Sequence, residues 1–480
     1  MNRKMVFHMV GRILLTGSLL LLLPALVSLL YLEISGLSFL AAAAVAAGVG
    51  GLFSLAGRTA DRTIYAREGF AIVALAWVFL SAIGALPFFI SRAIPSYVDA
   101  FFETVSGFTT TGASILRNVE AMDRGLLFWR SFTHWLGGMG VLVFVMAILP
   151  SESGRTIHIM RAEMPGPVVG KLVPRVRETA KILYLIYIVM TIAEILLLLV
   201  GGMPIFESLV HAFGTAGTGG FGVKADSIGG YSPYLQWVIT VFMFLFGVNF
   251  NLYYLLLARR FRAVLKSGEL WCYAAIAVGS TVAVAINVHS MFPSLGETVR
   301  TAAFQVVSVL TTTGYATADF NLWPDFSKTL LVILMFIGAC AGSTGGGFKV
   351  SRVMLLFKGV KRNLKHMVSP RSVGVIKLEG KKVDEETMDG VSSYLAIYIV
   401  VFLAVVLLLS IEPFDFETTF TAAAACFNNI GPGLGAVGPV GNYAAFSDGG
   451  KLLLSVAMLL GRLEIYPILL TAIPSLWKRK

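Results

Sequence analysis

Long apolar stretches separated by short polar ones run along this chain from residue 13 to residue 474. Ten of them approach twenty residues, roughly what crosses a 30 Å hydrocarbon core, near 13–31, 37–57, 69–91, 127–149, 180–201, 234–258, 271–291, 328–357, 391–411 and 451–474. Shorter apolar segments lie between some of these and end in small and polar residues. Two of the short segments nearly repeat: Phe-Glu-Thr-Val-Ser-Gly-Phe-Thr-Thr-Thr-Gly at 102–112 and Phe-Gln-Val-Val-Ser-Val-Leu-Thr-Thr-Thr-Gly at 304–314. Weaker copies lie at 206–221, ending Thr218-Gly219-Gly220-Phe221, and at 416–432, ending Asn428-Asn429-Ile430-Gly431-Pro432. The pattern predicts helix, short half-helix, Thr-Gly loop and helix, four times over.

Composition narrows this to a membrane protein. Apolar residues make up 56% of the 480 and charged residues only 14%, where a soluble domain carries about a quarter; mean hydropathy is +0.80. The first apolar run, after Arg3, Lys4 and Arg12, is too long for a signal-peptide core and lacks a small-x-small cleavage site, so it reads as a retained span. The net charge of +11 is no sign of nucleic acid. With the N-terminus inside, cytoplasmic segments hold 29 of the 38 Lys and Arg, the positive-inside bias that orients membrane proteins. Acidic residues lean outward, among them Asp99, Glu103, Asp226, Asp319, Glu412 and Glu417. That distribution predicts an acidic mouth attractive to cations, or ordinary surface solvation. Cys272, Cys340 and Cys426 are scattered and odd in number, which suits buried small residues rather than a disulfide framework or metal site.

The short segments carry the candidate chemistry. All four arise between an outward-going and an inward-going span, so all four dip from one face and suit a pseudo-fourfold ring. A dehydrated cation needs oxygen ligands in place of its lost water, and inward-turned carbonyls supply them. Glycine takes the backbone angles this demands at no steric cost, a role that falls to Gly112, Gly220, Gly314 and Gly431. The preceding residues, Thr110-Thr111, Thr218-Gly219, Thr312-Thr313 and Asn429-Ile430, would add carbonyls and hydroxyls. Half-helices of 10–13 residues reach about 15–20 Å, to mid-membrane and no further, with the partly negative end at the ion. A single Thr-Thr-Thr-Gly is equally a turn between packed helices; four at matching positions favour the ring.

Two further features stand out. In the span near 328–357, Gly338, Gly342, Gly345, Gly346 and Gly347 fall within ten residues, and each costs about 1 kcal/mol relative to alanine in a helix. The helix should break mid-membrane, as a gate below the loops, or else these glycines mark a tight packing face. Arg462 lies inside the last span, where a charge faces a cavity or a partner: the pathway below the loops, or a pair with Glu464 or Glu194. Gly137-Gly138-Met139-Gly140 predicts close helix packing, and His134 and His211 lack partners at metal-ligand spacing and read as structural. Gly166 to Lys171 has the wrong spacing for a phosphate loop, so nucleotide sensing would belong to another protein. Basic segments 150–182 and 349–382, including Lys358, Lys361, Arg362, Lys365 and Arg371, are candidate docking surfaces, although positive-inside charge and anionic lipid also account for them.

These residues together resemble the Trk/Ktr/HKT superfamily of cation transporters, and the TrkH-type membrane subunits in particular. The segment Asn428-Asn429-Ile430-Gly431-Pro432-Gly433-Leu434-Gly435 and the added N-terminal pair of spans carry that likeness. The resemblance implies an all-α polytopic fold: an N-terminal pair at 1–68 and pore repeats at 69–150, 151–270, 271–390 (with the broken gating helix) and 391–480. It implies one filter glycine per loop, with Gly112 favouring potassium over sodium, an intramembrane gating loop, and Arg462 facing the pore. It also implies a homodimer in the bacterial cytoplasmic membrane, both termini inside, regulated by a cytosolic nucleotide-binding RCK-type (TrkA-like) subunit. The transported ion would be potassium, with no nucleotide site in this chain. A sodium- or proton-coupled symporter is the rival, with Glu194 as the isolated carboxylate for a second ion. A membrane enzyme would need a nucleophile–base or metal constellation that the sequence lacks.

Overall fold

The computed structural model describes residues 1–58, 65–140, 176–372 and 374–477. It is a helical membrane protein. Six helices are long and apolar enough to cross a membrane: Arg3–Leu30, Gly36–Ala56, Arg67–Ile90, Glu178–Val200, Gly268–Met291 and Glu385–Leu409, and the bent pair Pro233–Phe246 and Phe250–Leu257 makes a seventh. At the other three of the ten expected spans the described helices are shorter or more polar. Arg124–Gly138 stops at Met139, before Gly140 turns to φ +84°. Asp325–Ile337 and Val350–Val368 flank the glycine loop, and Asp448–Arg462 and Tyr466–Ala472 flank a turn at Leu463–Ile465. The remainder of the 127–149 span and most of the 150–182 basic segment lie outside the described residues.

The first helix starts at Arg3, ten residues before hydropathy places it, because Asn2 caps it through the Met5 amide. It breaks at Leu21, three residues before Pro24, whose ring has no N–H to give and crowds the carbonyl four residues back. Gly11 and Gly50 let this helix cross Gly36–Ala56 almost backbone to backbone: a β-carbon at Gly11 would fall 2.5 Å from the Ser54 nitrogen. A two-residue hairpin, Lys377–Leu378 with Lys381–Lys382, is the sheet among the described residues. Its turn puts Glu379 and Gly380 at φ +50° and +75°.

Apolar and polar residues are arranged inside out relative to a soluble protein. Leu29, Leu55, Val200, Ile286 and Leu407 are exposed on the outside of the bundle, where lipid is the solvent. The centre holds buried Thr, Ser, Asn and Gly from four short helices: Tyr97–Phe108, Ile205–Ala216, Leu295–Leu310 and Phe416–Phe427. Three have 12 residues, within the expected length; the third has 16, because Ser294 caps it at the Glu297 amide well before the apolar segment begins. Irregular backbone is tolerable at this depth only where protein or a wet cavity surrounds it, and these segments meet that condition.

Candidate ion-conducting site

Each half-helix ends in the same way. The residue after the cap is left-handed: Thr110, Thr218, Thr312 and Asn429 have φ of +55°, +53°, +60° and +57°. The amides of the residues that follow, Thr111, Gly219, Thr313 and Ile430, reach back to the carbonyls of Ser106, Gly214, Ser308 and Ala425 at 2.8–2.9 Å. This is the Schellman helix ending, which glycine normally takes. A β-branched threonine there costs on the order of 1–3 kcal/mol, a strain kept at functional sites. Gly112, Gly220, Gly314 and Gly431 then turn to φ +79°, +77°, +81° and +94°. The sequence reading put the unusual backbone on one glycine per loop; the structure puts it on two residues per loop.

The loops close into a ring. A β-carbon on Gly112 would fall 2.1 Å from the Gly219 carbonyl oxygen, one on Gly220 2.1 Å from that of Thr313, one on Gly314 1.9 Å from that of Ile430, and one on Gly431 2.6 Å from that of Thr111. Each glycine therefore abuts the carbonyl before the next glycine, around four loops far apart along the chain. All twelve expected ligand residues meet here. Thr110 Oγ1 and Asn429 Oδ1 are buried without a hydrogen-bond partner. Thr218 Oγ1 instead donates to the Gly217 carbonyl.

Below the ring lies the glycine loop. Gly338, Gly342 and Gly347 have φ of +73°, +70° and +72°, so the helix does break where expected. The Gly346 amide donates to Thr312 Oγ1 at 2.6 Å, and a β-carbon on Gly346 would fall 2.5 Å from the Asn428 carbonyl. A β-carbon on Gly345 would fall 2.9 Å from that of Thr311. The loop thus presses directly on the third and fourth loops. Its other side fills the break in the second repeat's helix: Phe250 N donates to the Gly342 carbonyl and Cys340 N to that of Gly247, both at 3.0 Å.

Arg462 reaches this loop, donating to the Thr344 carbonyl at 2.8 Å, to that of Gly138 at 2.7 Å and to that of Gly137. Glu464 is held by Arg352. The Gly137–Gly138 pair packs tightly as expected, Gly137 against the Phe108 carbonyl and Gly138 against Gly217, and in addition gives its carbonyls to Arg462.

Sequence reasoning missed several contributors. Glu269 accepts from the Ala341 amide at 2.7 Å. Lys349, within the basic segment 349–382 read above as a candidate docking surface, is 1% exposed and donates to the Gly345 carbonyl. Arg352, counted with it, is also buried. Their signal was proximity to the glycine run, overridden by the positive-inside count. The docking segment that remains is an amphipathic helix on which Lys361 and Lys365 are exposed. Lys358 is spent on the Lys377 carbonyl and Arg362 on Glu385. Asp384 caps the next helix, and the Thr387 hydroxyl and amide hold its carboxyl below the usual range.

The acidic mouth is corrected too. Glu103 is buried, bonded to Arg130 at 2.5 Å, to Ser114 Oγ and to the Ile115 amide at 3.0 Å each, so it braces the first loop rather than facing water. Asp99 pairs with Lys451 at 2.6 Å. The outer cavity above the ring, about 150 Å³, is lined by Arg117, Arg130 and Lys224 along with all four ring glycines. Cys340 and Cys426 are buried and all three cysteines are free.

Residues 36–479 match the family model described as TrkH, cation transport protein. The chain is 37% identical, over the full length of both, to proteins called Trk system potassium uptake protein TrkH from Salmonella typhimurium and from Escherichia coli. Its structure superposes on the crystal structure of the potassium transporter TrkH from Vibrio parahaemolyticus with a TM-score of 0.88, at 35% identity and with both chains fully covered.

Proposed function

This chain belongs to the TrkH family of cation transport proteins, and we propose that it carries potassium into the cell through the ring formed by its four loops. The observation that carries the reading is the closed cycle of glycine-to-carbonyl contacts, the geometry in which carbonyls from four sides replace the water of a dehydrated ion. One glycine per loop means few stacked carbonyl layers, so discrimination among potassium, rubidium and sodium is incomplete. In this reading Thr110, Thr111, Gly112, Thr218, Gly219, Gly220, Thr312, Thr313, Gly314, Asn429, Ile430 and Gly431 hold the ion. The loop from Gly338 to Gly347, latched by Arg462, opens and closes beneath them. Both termini face the cytosol, and an RCK-type nucleotide-binding partner docks on the basic cytoplasmic surface of a homodimer.

The test is rubidium uptake with potassium and sodium opposed, the Gly314→Ser variant beside the parent chain. Potassium preference that weakens in the variant supports the ring as the filter; an unchanged preference would remove the loops from that role. A coupled symporter is the second reading, and one observation favours it. Glu194 is fully buried and, with Thr215 beside it, makes no hydrogen bond of ordinary geometry. If Glu194→Gln abolishes uptake while the protein still folds, coupling becomes the better account; if rubidium flux persists without a sodium or proton gradient, the channel reading stands.

A further inference from the structure

One position differs among the four loops in a way the ring does not explain. The residue before the ring glycine is Thr111, Gly219, Thr313 and Ile430. Three of these side chains are accommodated within the loops: Thr111 Oγ1 bonds Thr109 at 2.8 Å and Asn429 Nδ2 at 2.9 Å, Thr313 Oγ1 bonds Thr311 at 2.8 Å, and Ile430 is buried in the apolar core. Only the second loop has no side chain. The space is taken by His134, which comes from the helix that follows the first loop: a β-carbon on Gly219 would fall 2.2 Å from its Nδ1 and 2.3 Å from its Cγ.

The same ring is one half of a clamp. His134 stacks on Phe221 at 4.2 Å between centroids and 19° between planes, and the Arg130 guanidinium lies 3.6 Å from the Phe221 centroid. Two groups this close to one ring must take opposite faces, so Phe221 is held between them. Residues four apart share one face of a helix, so Arg130 and His134 reach the loop together. Arg130 is itself fixed by Glu103 and by the Gly222 carbonyl at 3.0 Å. The helix approaches close enough because Gly217 has no side chain: a β-carbon there would fall 2.2 Å from the His134 carbonyl. His134 is completely buried beside the Ser106 backbone and makes no hydrogen bond of ordinary geometry; it acts by shape.

We propose that His134 is a positioning residue for ion selectivity: by filling the side-chain space of residue 219 and clamping Phe221, it fixes the Gly219 carbonyl against Gly112 and so sets the second loop's ligands. This rests on the reading of the four loops as the filter. His134 touches no ion. It acts across repeats, the first repeat's helix shaping the second repeat's loop.

The experiment is competition of rubidium uptake by potassium and by sodium, in cells whose potassium uptake depends on this chain with its native partners. Gly314→Ser serves as the control on the filter itself. In His134→Ala the ratio of potassium to sodium competition should fall about five- to tenfold, since the cavity left behind frees Gly219 to move. Gly219→Thr alone should lose uptake for want of room. His134→Ala with Gly219→Thr, which puts a threonine where the first and third loops have one, should recover uptake and return most of the ratio. A merely structural histidine would lower the amount of folded protein without moving the ratio or showing this reciprocal rescue. Should the alanine chain fail to assemble, Phe221→Leu opens the same clamp and should lower the ratio as well. A parental ratio in whichever of the two assembles overturns the proposal. If Gly314→Ser also leaves the ratio unchanged, the filter reading falls with it; if Gly314→Ser moves the ratio and these do not, this proposal alone falls.

Discussion

The four loops and the four helices that follow them make an instructive contrast. In the loops the same ending recurs: a left-handed Thr or Asn, a bond back into the half-helix, a left-handed glycine pressed on the next loop's carbonyl. The helices that follow them end or break in unlike ways. One stops at Gly138, one bends by 91° between Phe246 and Phe250, one opens into a twelve-residue loop at 338–349, and one turns at Glu464 and Ile465. The ring is held by backbone packed on backbone. The region below it is held by side chains that grip the backbone: Arg462 on the carbonyls of Thr344, Gly137 and Gly138, Lys349 on that of Gly345, and Glu269 on the Ala341 amide. An ion needs ligands from every side at once, which keeps the four copies alike. The gate proposed for the region below needs one element free to move, and exchangeable hydrogen bonds permit that where close packing does not.

The largest expected effect breaks the ring. Gly314→Ala places a β-carbon 1.9 Å from the Ile430 carbonyl at φ +81°, whereas Gly431→Ala meets its nearest atom at 2.6 Å. Rubidium uptake should fall about thirtyfold in the first, on the order of 2 kcal/mol, and by less in the second, leaving a flux from which the ion ratio can still be read. Equal losses would mean that the crowding is not what matters.

Next comes the latch. Arg462→Gln should raise rubidium flux about tenfold or more, because charge-assisted bonds to three carbonyls, each worth about 1.5–3 kcal/mol, no longer hold the loop. The potassium-to-sodium ratio should stay at the parental value. A ratio that moved with the flux would erase the distinction between ring and gate.

The smallest effect sharpens the place where the two regions touch. Thr312 is both left-handed in the ring and the acceptor for Gly346. Thr312→Ser keeps the hydroxyl and relieves a β-branched residue in a left-handed turn, so flux and ratio should each change by less than about threefold. Thr312→Val keeps the shape and loses the acceptor for the Gly346 amide. Its flux should rise about threefold to tenfold, the worth of one hydrogen bond of roughly 1 kcal/mol. If the two variants behaved alike, the bond from Thr312 to Gly346 would carry no part of the coupling.

Much of the arrangement was legible in the residues, for identifiable reasons. The four loops repeat in sequence because they repeat in backbone conformation, and the ring glycines were found because nothing larger fits. The glycine loop at 338–347 was visible as a helix break because five glycines in ten residues cannot hold a helix. What stayed hidden involved partners distant along the chain. Glu103 reads as an acidic surface residue until Arg130, Ser114 and Ile115 surround it, and Lys349 counts as one more cytoplasmic lysine until its burial against Gly345 is seen. The helix break at 247–249 carries no glycine cluster or proline to announce it, whereas Pro467, two residues past the turn at 463–465, did mark that one.

The sequence alone determined the membrane setting, the four-times-repeated order of elements, the ring glycines and the weak helix below them, because hydropathy, local repetition and glycine content are properties of neighbouring residues. Only the tertiary structure decided which carbonyl each glycine meets, why the second loop alone lacks a side chain at residue 219, and what Arg462 grips. Those depend on which distant parts of the chain occupy the same few ångströms, and no local pattern records that.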